Sequence, residues 1–217
     1  MCVLSGFHRL LGYCLSVAVF SSGLVACQAP LASNTLLFQD DFSQVESAWE
    51  LQLAPESQVQ VKAGTLNINV QTTQLNVWSL APDVRSNNAL ITVQAQSLPN
   101  APTDNGFGVI CGYSDAENFY YALVSADGYA SLGQVQAGEL KPFQDWQAYA
   151  AIPSEPAVLT LTVGCLPNTL NLQVNGQAIT TVQLPATLPV GRVGLLAKSF
   201  FEPAVAIKFD NFQVRTP

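Results

Sequence analysis

Histidine is almost missing from this chain. Its 217 residues include one, His8, placed ahead of a short apolar run in a segment that reads as a leader. The body of the protein therefore has no imidazole for a Ser-His-Asp or Cys-His site, nor for a zinc site of ordinary composition. Charge is scarce too, at 11% of residues, and leans one way: 8 Lys and Arg face 15 Asp and Glu, for a net −7. Such a surface excludes nucleic acid and anionic lipid as direct electrostatic partners. No glycine-rich phosphate loop is present, because Gly106-x-Gly108 sits inside a strand-like run with no helix following. What the chain does have is apolar residues, 49% of the total, which is too many for a disordered chain.

The first residues have the three parts of a secretory leader. His8 and Arg9 are polar, Leu10 to Phe20 is apolar but shorter than the roughly 20 residues of a membrane span, and Ser21-Ser22-Gly23 breaks the run. Leu24-Val25-Ala26-Cys27 then resembles the lipobox of bacterial lipoproteins at all four positions. That resemblance implies removal of residues 1–26 as a signal peptide, acylation of Cys27, a short lipidated tether over 27–34, and the lipid bilayer as a partner. Two or more acyl chains hold firmly where one holds marginally. Gln28 in place of Asp, by the same resemblance, points to the bacterial cell envelope and its outer membrane. The alternative is an uncleaved anchor with Cys27 as an ordinary thiol. Cleavage would also remove Arg9, leaving 7 basic residues against 15 acidic ones and a net charge of −8.

Cys2 and Cys14 would leave with the leader, so Cys111 and Cys165 remain as an even pair in a compartment that permits oxidation. Each lies in an apolar alternating run, consistent with a bridge between two sheets that closes 54 residues and contributes about 4 kcal/mol. Two buried free thiols are the other reading.

From Asn34 onward, residues 35–217 read as one all-β domain. Leu66, Ile68 and Val70 alternate with Asn67 and Asn69, Ile91 and Val93 with Thr92 and Gln94, and Leu170, Leu172 and Val174 with Asn171 and Gln173. Period two over such runs means one face buried and one wet. Further strand-like runs fall at 36–38, 59–61, 75–80, 107–113, 119–124, 129–135, 159–165, 179–184, 193–197 and 205–214. Asn175-Gly176 and Asp127-Gly128 are tight-hairpin signals, because these residues tolerate positive φ. Residues 45–51 could form a turn or two of helix. Near the end Val205, Ile207 and Phe209 share a face, while Phe212 and Val214 continue out of phase, so a β-bulge is expected at Asp210-Asn211.

Phe209-Asp210-Asn211-Phe212 resembles the closing strand of concanavalin A-like lectin and glucanase domains, and Phe38-Gln39-Asp40-Asp41-Phe42-Ser43 resembles their opening strand. Val77-Trp78-Ser79, the run Asn105 to Cys111, Asn118-Phe119-Tyr120-Tyr121, Ser125 to Tyr129 and Leu172 to Gly176 continue the likeness to laminarinase-type and 3-keto-disaccharide-hydrolase-like jelly rolls. The resemblance implies an antiparallel two-sheet jelly-roll sandwich. It does not carry an activity, since enzymes, lectins and other modules share that fold.

Glucanases of this kind place Glu-x-Asp-x-x-Glu on one strand, with the flanking carboxylates about 5 Å apart as nucleophile and acid/base. The chain lacks that cluster, and Asp115-Ala116-Glu117 reads as a solvated hairpin turn, so no catalytic residue is assigned and the protein is expected not to be an enzyme. Carbohydrate binding is the leading expectation. Sugar rings stack on aromatic side chains while amides bond their hydroxyls, which makes Trp78, Asn76, Trp146 and Tyr121 the candidate contacts, with Tyr113 and Tyr129 in reserve. The same aromatics could instead fill a core, with Phe107, Phe119 and Tyr121 at alternating positions. A structural or protein-interaction envelope lipoprotein is the alternative, and a glycoside hydrolase-like enzyme comes after it. No cofactor is certain; Asp40, Asp41 and Asp210 could hold a structural Ca²⁺ where first and last strands meet, or simply cap strand ends.

Overall fold

The computed structural model describes residues 34–44, 48–154 and 157–217. The leader, Cys27 and nearly all of the tether lie outside the described residues. No helix occurs among the described residues. The strands are β1 (Leu36–Asp40), β2 (Gln52–Leu53), β3 (Ser57–Lys62), β4 (Thr65–Val70), β5 (Asn76–Ser86), β6 (Ala89–Ser97), β7 (Asn105–Asp115) and β8 (Asn118–Val124), followed by β9 (Tyr129–Gln136), β10 (Glu139–Ala148), β11 (Leu159–Leu166), β12 (Thr169–Val174), β13 (Gln177–Gln183), β14 (Gly191–Ser199) and β15 (Val205–Arg215).

They form two antiparallel sheets. The back sheet runs β13-β12-β11-β6-β15-β4-β3-β2, with β1 also on β15; the front sheet runs β10-β9-β8-β7-β14-β5. Alternation builds the core between them. Ile91, Val93, Leu161, Val163, Leu172 and Ile68 point forward from the back sheet to meet Val77, Phe107, Val109, Val124, Leu132 and Leu195 of the front sheet, and all are buried. Each such side chain contributes about 1.5–3 kcal/mol on leaving water.

β15 shows how the sequence solves a phase problem. Its first half pairs with β4, from Val205 opposite Val70 to Phe209 opposite Leu66, and its second half pairs with β1, from Phe212 opposite Asp40 to Arg215 opposite Leu36. The register against β6 shifts between Asp210 and Gln213, where Asn211 adopts φ 52°. Without that extra residue Phe212 and Val214 would face away from the core. With it, Phe209, Phe212 and Val214 are all fully buried. The expected bulge is therefore present, at the expected place.

Cys111 of β7 and Cys165 of β11 form a disulfide across the core, joining the two sheets. The hairpin between β12 and β13 turns at Asn175 and Gly176, with φ 52° and 78°, as their sequence signal requires. Asp115 accepts hydrogen bonds from the Glu117 N–H and the Asn118 amide in the exposed β7–β8 turn. Two differences from the sequence reading stand out. Residues 48–51 are not helical, while 45–47 lie outside the described residues; instead the buried Trp49 packs on Phe38, Phe42 and Phe212 and donates its indole N–H to Asp40. The ten residues of β10 also form a strand that no clean alternation announced, because this front-sheet edge strand is largely exposed and contains Pro142, which is tolerated where no ladder partner is needed.

Candidate functional site

The outer face of the front sheet, turned away from the main core, is unusual in being apolar. Leu80 of β5, Ile110 of β7, Phe119, Tyr121 and Leu123 of β8, Val135 of β9 and Leu196 of β14 form a second buried cluster there, with Trp78, Tyr113 and Trp146 packed on it. No neighbouring sheet covers these residues. They cover one another, because aromatic rings lie flat over positions with no side chain. Tyr121 crosses Gly133, where an added Cβ would fall 2.4 Å from its hydroxyl and 2.8 Å from Lys141 O. Trp146 reaches inward from β10 until its ring stands over Gly106, 3.3 Å from where a Cβ would be.

The spans 76–80, 106–110, 119–123, 131–135 and 194–198, which make up the centre of the front sheet, contain no Asp or Glu on either face.

At one end of this face lies a cleft of about 320 Å³ lined by Asp104, Asn105, Ser125, Asp127, Tyr129, Trp146, Phe200 and Phe201. Four separate chain segments build it. Trp146 and Phe200 meet edge to face, with centroids 5.4 Å apart and planes at 86°, and Lys198 Nζ stands 5.2 Å from the Phe200 centroid. Burial lowers the Lys198 pKa. Phe201 is 81% exposed at the rim. Beneath the rim Asn105 is fully buried: its amide donates to Pro102 O at 2.6 Å and to Ser97 Oγ at 3.1 Å, and its carbonyl accepts the Ala126 N–H at 3.2 Å. It thus locks the segment before β7 to the β8–β9 hairpin, so Asp104 and Asp127 are held at one mouth. The Ser125 hydroxyl donates to Asp127 and accepts the Tyr129 N–H. Burial raises the Asp104 pKa, and the Asp127 and Glu202 charges add to the shift.

The expected contacts are distributed unevenly. Trp146 lines this cleft. Trp78 and Asn76 share the outer face but line a different cleft of about 580 Å³, with Glu50, Leu51, Gln52 and Leu75. There Trp78 is wedged against Tyr113 and Phe119 at 6.2 and 5.6 Å. Tyr121 reaches neither cleft. It is 2% exposed, and burial pushes its pKa up to about 12. Its assignment as a ligand contact is corrected: the alternation gives the face but not the depth, and Tyr121 is part of the floor. Phe119 joins that floor, whereas Phe107 enters the main core.

Nor are the three seam aspartates gathered. Asp40 accepts the Phe42 N–H and the Trp49 indole N–H at 2.8 and 2.9 Å, and Asp41 accepts the Ser43 N–H at 3.0 Å. Asp210 accepts the Asn211 N–H at 2.7 Å and lines a separate cleft beside Lys208. Among the described residues no group of three His, Cys, Asp or Glu side chains could hold a metal ion, and Asp40 and Asp41 line one cleft with Gln39, Asn211 and Gln213 while Asp210 lines another.

Sequence reading missed Asp104, Asp127 as a cleft residue, Phe200 and Phe201. A signal for the last two existed, since two adjacent phenylalanines before Glu202-Pro203 are an unusual turn. Asp104 had none, because only the fold brings it to the hairpin.

These two facing sheets and the apolar outer face define a concanavalin-like, galectin-like jelly roll, and solved structures share it. The carbohydrate-binding module CBM66 from Bacillus subtilis is 11% identical with a TM-score of 0.57, over 79% of this chain and 93% of that one. A Bacillus subtilis protein of unknown function with a galectin-like fold is 10% identical with a TM-score of 0.64, over 85% and 97%. The Bacillus licheniformis β-glucanase is 10% identical with a TM-score of 0.58, over 83% and 97%. At this identity the likeness establishes the fold. No family model and no curated protein matches the chain.

Proposed function

We propose that the protein is a non-catalytic glycan-binding module, displayed outside the cytoplasm on a lipid anchor at Cys27. The cleft walled by Tyr129, Trp146, Phe200 and Phe201 carries this reading. Aromatic rings there offer flat faces to the apolar side of a sugar, and Asp104 and Asp127 offer acceptors to its hydroxyls. Neighbours of the same fold include a carbohydrate-binding module and a glucanase, which supports a glycan as ligand class. The carboxylate-free centre of the front sheet supports binding without hydrolysis.

Binding of the full chain to an immobilised panel of neutral, acidic and amino glycans tests the reading. At least one class is expected to bind, and Trp146→Ala is expected to weaken it about tenfold or more through loss of ring stacking. A blank panel, or retention unchanged in the variant, refutes the site. For the anchor, labelled fatty acid is expected to enter the wild-type chain and not Cys27→Ser; label in both would place the lipid elsewhere.

A further inference from the structure

The aromatic cleft has a second property that sugar stacking alone does not require. Its charged lining groups are both acidic, Asp104 and Asp127, and among the described residues neither forms an ion pair. Asp127 has the Ser125 hydroxyl as a partner, while among the described residues no hydrogen bond anchors the Asp104 carboxylate. Burial and the nearby charges of Asp127 and Glu202 disfavour its ionised form. The cleft holds these like charges at one mouth, with Lys198 over Phe200 and paired to neither, and a ligand cation would relieve their repulsion. The aromatic walls favour the same ligand, because ring faces attract cations. Phe200 already shows the geometry, with the Lys198 ammonium 5.2 Å from its centroid.

We propose that the cleft selects a glycan bearing a free amine, such as a chain of glucosamine residues, with the ammonium held by Asp104 and Asp127 and the ring stacked on Trp146. This rests on the glycan-binding reading above and specifies the ligand class for the same site. A neutral glucan would gain the stacking but not the charge pairing, and an N-acetylated chain would lose the ammonium.

Titration calorimetry of the full chain in detergent, with three hexasaccharides, tests it: a glucosamine chain, its fully N-acetylated counterpart and a neutral β-glucan. The glucosamine chain is expected to bind about tenfold tighter than the other two, as a charge pair with two carboxylates and an added cation–π contact allows. Asp104→Asn, which keeps an oxygen acceptor but removes the charge, is expected to bring the affinity for the glucosamine chain down to within about twofold of that for the N-acetylated chain. Rising salt should weaken only the glucosamine complex, which provides a readout that needs no variant. Equal affinity for amine and acetylated chains, a preference that survives Asp104→Asn and high salt, or binding that appears only with added Ca²⁺ would overturn the proposal. If all three sugars fail to bind, the glycan-binding reading falls with it; if they bind without discrimination, only the amine selectivity falls.

Discussion

Trp78 and Trp146 occupy the same face of the same sheet and are mounted in opposite ways. Trp78 grows from β5 within the sheet and packs on Tyr113 and Phe119, rings that belong to the same layer. Trp146 comes from the exposed edge strand β10, leans over Gly106 and meets Phe200 from a loop. One is part of the layer; the other lies over it. Both border open space, Trp78 a cleft of about 580 Å³ and Trp146 one of about 320 Å³, so the contrast lies in how each ring is supported: Trp78 by rings of its own layer, Trp146 by a glycine and a loop phenylalanine.

Gly133→Ala would disturb this contrast most. The new Cβ would overlap Tyr121 and the Lys141 carbonyl, and Lys141 belongs to the strand that carries Trp146, so about 3 kcal/mol of stability should be lost together with glycan affinity, while the Trp78 cluster stays intact. Denaturant melts read alongside binding check this; unchanged affinity would show that β10 is not positioned through Tyr121. Trp78→Ala comes next. It should cost about 2 kcal/mol by opening a gap against Tyr113 and Phe119, yet leave binding in the Trp146 cleft within about twofold, so that the two tryptophans separate stability from affinity.

The smallest effect concerns Tyr121. Its pKa is raised from the ordinary phenol value of 10.0 to about 12, chiefly by burial. A folded pKa above the unfolded one means that the neutral phenol is favoured in the fold, so its contribution is intact below pH 10.0 and is lost as pH rises towards about 12. Tyr121→Phe removes one buried hydroxyl and keeps the ring, so stability at pH 7 should change by about 1 kcal/mol or less. The alkaline decline between those two pH values should become shallower in the variant. Urea melts across that range would reveal an unchanged decline if other groups dominate it.

Most of the fold was legible because burial on one side of a strand writes itself as period two. The β15 bulge could be read as a slip in that period, and the bridge as two cysteines in apolar runs. The edge strand β10 was not legible, since a strand wetted on both sides has no reason to alternate. That one failure mattered for the site, because β10 carries Trp146. The cleft was hidden for another reason. Asp104, Asp127, Trp146 and Phe200 are far apart in sequence, and only sheet order and the buried Asn105 bring them to one mouth. Gly106 and Gly133 could be placed within strands, but their role is to leave space beneath a ring on a neighbouring strand, and nothing at their own positions records it.

The disulfide between Cys111 and Cys165 also closes a covalent ring of chain. Inside that ring lie β8, β9 and β10, and with them Asp127, Tyr129 and Trp146. A protease that cuts any loop between those strands produces two fragments that stay linked, with the wall of the cleft still tied to both sheets. A molecule nicked in that span therefore keeps the residues of the cleft wall on one covalent body.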